Sequence, residues 1–286
     1  MSREMPGHPF PSPLFAFGSA FAASWVYVLI GAASEGSVFA VALASAVAFG
    51  GLGTLVARFV PEPAHVRLGL LPFPLRAALP VLLLVPAVLL TSEIDNWIRL
   101  ALGAKSPDGL GRALAPAPEI ALLRVFLEPT LQEFFFRGVL LQGCVSSLGR
   151  RRGVLAIALF QTLLFTPMAA SAGGIGAADA ASALAQTFAL AALLGLVRLA
   201  TGSVLPAIAL SSAMQAVGFA ALSDPDRFPI AGFNTAGETT PLAFLLPAVA
   251  AVAFGVWLLI GQLAREPALP PIPPRSAEDD EAGPLF

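Results

Sequence analysis

Five ionisable side chains fall inside one apolar stretch of this 286-residue chain. The segment from Glu119 to Arg152 reads EIALLRVFLEPTLQEFFFRGVLLQGCVSSLGRRR, and Glu119, Arg124, Glu128, Glu133 and Arg137 share its nominal span, 119–148. Such charges cost roughly 2.5–3.5 kcal/mol each at a bilayer centre on insertion scales, so they normally face a cavity or a partner. Glu133 and Arg137 are four apart, on one helical face, with the acid toward the N-terminus, the better order for an ion pair. Arg124 and Glu128 have the same spacing. Pro129 removes a backbone donor and favours a start or kink, which puts Glu128 near a helix beginning. Phe134, Phe135 and Phe136 follow Glu133 and supply an apolar wall beside its carboxyl group. These residues fit two roles equally. Glu133 is either a general base or a station for ion or proton passage, or else one half of a self-neutralised pair that orders helix packing.

The composition says what surrounds this helix. Hydrophobic residues make up 57% and charged residues 12% of the chain, where soluble domains average roughly 45–50% and about 25%. The mean hydropathy is +0.81. An ordinary soluble enzyme, a disordered protein and a nucleic-acid binder are excluded, the last also by a net charge of −2. One cysteine, Cys144, leaves no disulfide framework and no thiolate cage. The chain reads as an all-α polytopic membrane bundle. About eight windows reach spanning length, at 14–34, 38–58, 77–98, 119–148, 153–171, 180–200, 203–222 and 241–263. The third and fourth hold charges. Residues 1–13 form an N-terminal tail, 14–263 the transmembrane domain, and 264–286 a Pro-rich acidic tail expected to be disordered.

Cation placement sets the orientation. With a cytoplasmic N-terminus, the inner side holds Arg3, Arg58, Arg67, Arg76, Arg150, Arg151, Arg152, Arg198, Arg265 and Arg275. The outer side holds Arg99, Lys105, Arg112 and Arg227. Both termini are therefore expected in the cytoplasm of a multi-pass protein of the cell membrane. Leu68–Pro74 reads as an interfacial turn or short amphipathic piece. Trp25, Trp97 and Trp257 are expected near span ends or facing lipid, and Gln161, Gln186 and Gln262 are placed to join helices.

The string PTLQEFFFRG, Pro129–Gly138, resembles the first motif of the CPBP family, which comprises the CAAX prenyl endopeptidase and the Abi-type intramembrane proteases. That motif is two adjacent glutamates, three residues, then arginine, with a proline ahead and Phe-Arg-Gly at its end. Pro129, Glu133, Phe136, Arg137 and Gly138 match it; Gln132 stands at the first glutamate. RLGLLPFPLR at Arg67–Arg76 looks like the Leu-Gly-Leu stretch that often precedes the family core. The resemblance covers roughly 67–222.

The resemblance implies a Phe-x-x-x-His motif on the next span and a His-x-x-x-Asn motif two spans later. In the fifth span the histidine position falls on Leu164 (from Phe160) or Ala169 (from Phe165). In the seventh, after Gly202-Ser203, Ser211 and Gln215 stand where His and Asn are expected. The two histidines of the chain, His8 and His65, lie outside both spans. The family's mechanism, a glutamate-activated water with histidines and asparagine orienting it, thus maps onto Glu133, Arg137, Gln132, Ser211 and Gln215 with departures at the last three. Glutamine and serine donate hydrogen bonds but do not shuttle a proton near neutral pH. Glu133 without histidine is a poor zinc shell, so no metal and no cofactor are expected. The resemblance implies a membrane protein with impaired or lost proteolysis that binds lipid and a transmembrane or lipidated peptide, or an active relative. The alternatives are an active endopeptidase centred on Glu133, and a transporter using Glu133 and Arg137 in a polar pathway. The latter is disfavoured by the lack of an inverted repeat.

Overall fold

Ser12 opens the first helix. Its hydroxyl accepts the Phe15 N–H at 3.3 Å and its carbonyl accepts the Ala16 N–H at 2.8 Å, while Pro13 takes the first helical position, where its missing donor costs nothing. The computed structural model describes residues 10–32, 38–61, 63–103, 122–171, 177–224, 226–227, 229–235 and 237–263. Both tails therefore lie largely outside the described residues, as do Glu119, Lys105 and Arg112.

The described residues form an all-α membrane bundle. Its helices are α1 (Pro13–Ala32), α2 (Val38–Ser45), α3 (Leu52–Ala57), α4 (Ala64–Arg67), α5 (Ala78–Leu84) and α6 (Ala87–Ala101). Then come α7 (Glu128–Glu133), α8 (Leu141–Leu148), α9 (Arg150–Ser171), α10 (Ala177–Thr201), α11 (Leu205–Ser223) and α12 (Leu242–Leu263). Wider π-type turns, Ala46–Gly51, Leu123–Leu127 and Phe134–Leu140, join α2 to α3, lead into α7, and join α7 to α8. Among the described residues, four stretches are long and apolar enough to cross a membrane: Pro13–Ile30, Leu75–Ala101, Ala180–Thr201 and Leu242–Leu263. Ala42–Ala57 and Leu205–Ala221 are shorter apolar helices.

Burial explains why these helices associate. Lipid tails are as apolar as leucine, so close packing of small residues drives association where water would otherwise drive it. Ala16, Ala20 and Ala23 of α1 are buried, whereas Leu14, Phe21, Trp25 and Leu29 face outward. Trp97 and Trp257 face outward as well. One core joins α1, the Ala46–Gly51 turn, Phe135–Val145 and Ile157; a second joins α5, α10, α11 and α12. Cys144 is a buried member of the first core.

Two details depart from single unbroken spans. The third span is interrupted between α5 and α6 at Pro86, whose missing N–H breaks the ladder. The fourth runs as helix through Pro129, with α7 beginning at Glu128 between two π-type turns. Its charged half is thus wound irregularly, as helices often are at functional sites. Gly149, at φ +80°, then reverses the chain and lets α9 return along α8.

Candidate functional site

Glu133 ends α7 and Arg137 lies one turn on, inside the Phe134–Leu140 turn. Both are buried, at 1% and 0% exposure. Arg137 Nη1 donates to Glu133 Oε1 at 3.3 Å, and Arg137 Nε lies 3.2 Å from Glu133 Oε2. That second contact lacks hydrogen-bond alignment, so Oε2 and Nε are held by charge attraction alone. Arg137 Nη2 reaches across to α10 and donates to the Ala191 carbonyl at 3.0 Å. The expected pair therefore forms, and α10 supplies its third member, a main-chain oxygen that sequence spacing does not mark.

Aromatic rings wall the pair. Phe135 and Phe136 are fully buried, meet edge to face with centroids 5.1 Å apart, and both touch Phe49 of the Ala46–Gly51 turn. The Arg137 guanidinium stands 5.9 Å from the Phe136 ring centre, within cation–π range. Gly138 has a steric reason. A Cβ there would come within 3.2 Å of the Leu68 carbonyl, so glycine lets the segment after α4 lie against the site helix. That segment is a turn, and Ser203 pins it from the other side by donating to the Leu71 carbonyl at 2.8 Å.

The remaining motif positions make no hydrogen bond to the pair. Gln132 is half-buried and Ser211 is buried, on α11, which packs against α7. Among the described residues, no hydrogen bond joins Gln132, Ser211 or Gln215 to Glu133 or Arg137. Gln215 is exposed. Burial on α11 runs through Ala207, Leu210, Ser211 and Met214 and stops there, because the helix leaves the core beyond that point. Leu164 and Ala169 lie on α9, but their side chains fall outside the described residues. His65 is exposed on α4, and His8 lies outside the described residues. Among the described residues, no cluster of three or more His, Cys, Asp or Glu side chains is placed to hold a metal ion.

Glu128 takes a partner from a distance. Tyr27 Oη, on α1, donates to its carboxylate at 2.5 Å, and Arg124 is exposed. A further buried carboxylate, Glu93 of α6, accepts from Asn96 Nδ2 and from the Thr240 main-chain N–H, each at 2.8 Å. Asn96 also donates to the Gly232 carbonyl at 2.9 Å, tying α6 to the segment ahead of α12. Beside it, Asp95 pairs with Arg99 at 2.9 Å and accepts from Ser182 Oγ of α10. Charge within the third span was the only sequence signal for this group.

What the fold and these residues define is a helical membrane bundle that buries a carboxylate–guanidinium pair where three helical segments meet. Residues 116–217 match the family model for type II CAAX prenyl endopeptidase Rce1-like proteins. That segment is similar to CAAX protease-like proteins, and it contains the Pro129–Gly138 motif. No curated protein and no solved structure matches the chain.

Proposed function

We propose that this chain is a multi-pass protein of the cell membrane that keeps the CAAX protease scaffold without its peptide hydrolysis. It acts by binding a transmembrane or lipidated peptide, or an active relative. The observation that carries this reading is the closure of Glu133 onto Arg137, with Gln132, Ser211 and Gln215 outside the hydrogen bonds of the pair. Hydrolysing a peptide bond requires a base, an oriented water and donors for the oxyanion. Here Glu133 is the candidate base, Arg137 is engaged with it, and no histidine stands at a motif position. Each missing acid–base group removes about 10²–10⁴ in rate, so the loss of several leaves little turnover.

The purified chain is therefore expected to leave a prenylated test peptide uncleaved, under conditions in which an intact relative cleaves it. The same detergent preparation of Glu133→Ala is the control. Turnover by the wild type that disappears in that variant overturns this reading and establishes the second one, an active endopeptidase centred on Glu133. One observation favours that alternative: Glu133 Oε2 has no hydrogen-bond donor, which leaves a lone pair for a water proton. The proposed topology has eight spans with both termini in the cytoplasm. A reporter fused after Gly149 is expected to read cytoplasm, and a periplasmic signal there reverses the orientation.

A further inference from the structure

Another buried cation of the bundle has a different environment from Arg137. Arg198 lies in the last turn of α10 at 4% exposure. It donates from Nη2 to the Arg67 carbonyl at 3.0 Å, and its Nε is buried with no acceptor. Among the described residues, no carboxylate pairs with it. An arginine presents five N–H donors in a planar fork, and a buried one is stable only when an anion or several acceptors answer it. Among the described residues, Arg198 has one acceptor. The Cα of Gly69, at φ +71°, is packed so tightly on the guanidinium that an added Cβ would overlap it, so the fork is held in place from one side.

Further arginines lie near this junction. Arg67, itself 1% exposed, ends α4 at this junction. Arg76 and Arg150 belong to the same end: the Arg76 carbonyl accepts from Gln262 and Arg150 donates to the Leu263 carbonyl, neighbouring residues at the end of α12. Arg151 and Arg152 follow Arg150 and are exposed. Asp179 stands at the opposite end of α10, and the other described carboxylates lie on α6, on α7 and in the segments that follow α11. Glu62 lies outside the described residues.

We propose that Arg198 forms an anion site that takes a phosphate group at this end of the bundle. The planar guanidinium fork matches two phosphate oxygens, and a basic pocket between membrane helices is the setting in which lipid head groups are held. A phospholipid head group and free phosphate share this chemistry.

The test uses the full chain in neutral detergent at fixed ionic strength, with unfolding followed by tryptophan fluorescence. Phosphatidylglycerol, phosphatidylcholine and sodium phosphate are titrated separately. A saturable rise in the unfolding midpoint with phosphatidylglycerol alone identifies a lipid head group. The same rise with sodium phosphate identifies free phosphate. In either case the half-saturating concentration is expected to increase about tenfold in Arg198→Gln, as the fork is lost, and to stay within about twofold in the exposed pair Arg151→Gln with Arg152→Gln. Where Arg198→Gln yields no folded protein, Arg198→Lys keeps the charge and removes the fork; an unchanged half-saturation there overturns the proposal. Equal responses to phosphatidylglycerol and phosphatidylcholine also overturn it, as does an effect of the exposed pair as large as that of Arg198. So does a stability loss in Glu62→Gln that equals that of Arg198→Gln without ligand dependence, because it would identify an internal counter-ion.

Discussion

Glu133 and Glu93 are both buried carboxylates in an apolar bundle, and the chain answers their charges in opposite ways. Glu133 is met by a guanidinium four residues on, so the partner comes with the helix itself. Glu93 is met by Asn96 one turn on, and by the Thr240 N–H, 147 residues away. The first arrangement exists as soon as the helix forms. The second exists only once the segment before α12 has docked on α6. A local pair also carries its own neutralisation, whereas Glu93 has only neutral donors around it among the described hydrogen bonds. The two sites therefore differ in what a substitution leaves behind.

The largest effect is expected at the local pair. Arg137→Met strands a buried carboxylate and Glu133→Gln strands a buried guanidinium, each at a cost of about 3–5 kcal/mol. Because each substitution leaves the same orphan that the other removes, the double variant is expected to recover part of the loss. A coupling of about 0.5–3 kcal/mol in a double-mutant cycle of detergent unfolding is the signature. Strictly additive losses would show that the contact contributes nothing.

Glu93 is expected to behave otherwise. Glu93→Ala removes the acceptor of two donors, one of them a buried main-chain N–H, for a cost of about 2 kcal/mol. Adding Asn96→Leu removes one orphan but leaves the Thr240 N–H unanswered, so the double variant recovers little. Full recovery in that double variant would mean that the main-chain bond to Thr240 carries no weight, and the contrast with Glu133 would fail.

The same contrast accounts for what the sequence discloses. The four long apolar helices are legible because a bilayer demands long apolar runs, and Glu133 with Arg137 is legible because a helix repeats every turn. Tyr27 with Glu128 is not, since 101 residues separate them. Neither is the outward placement of Gln215. On a helix that is apolar on all sides, periodicity marks no face, and only packing decides where burial ends. The π-type turns around α7 likewise leave no compositional trace. In the sequence Arg198 counts only as an inner-side cation, because charge counting at a span end says nothing of how the end is folded in. The motif match was legible as residues, and the geometry it requires of Ser211 and Gln215 was not.

Tyr27 and Glu128 provide the intermediate case, long-range like Glu93 but only half-buried. Tyr27 Oη donates to the carboxylate at 2.5 Å, and a hydrogen bond to a charged group is worth about 1.5–3 kcal/mol when water is excluded. Partial exposure lets water take over part of the lost bond, so Tyr27→Phe is expected to cost about 1 kcal/mol, less than Glu93→Ala. Glu128→Gln is expected to cost less still, because an amide oxygen accepts from the same hydroxyl. Thermal unfolding of both variants in one detergent orders the three sites. If Tyr27→Phe destabilises as much as Glu93→Ala, then distance along the chain governs the cost, and burial does not. If it costs a few tenths of a kcal/mol, burial governs it, and the contrast between Glu133 and Glu93 reduces to whether the partner is a charge or a main-chain donor.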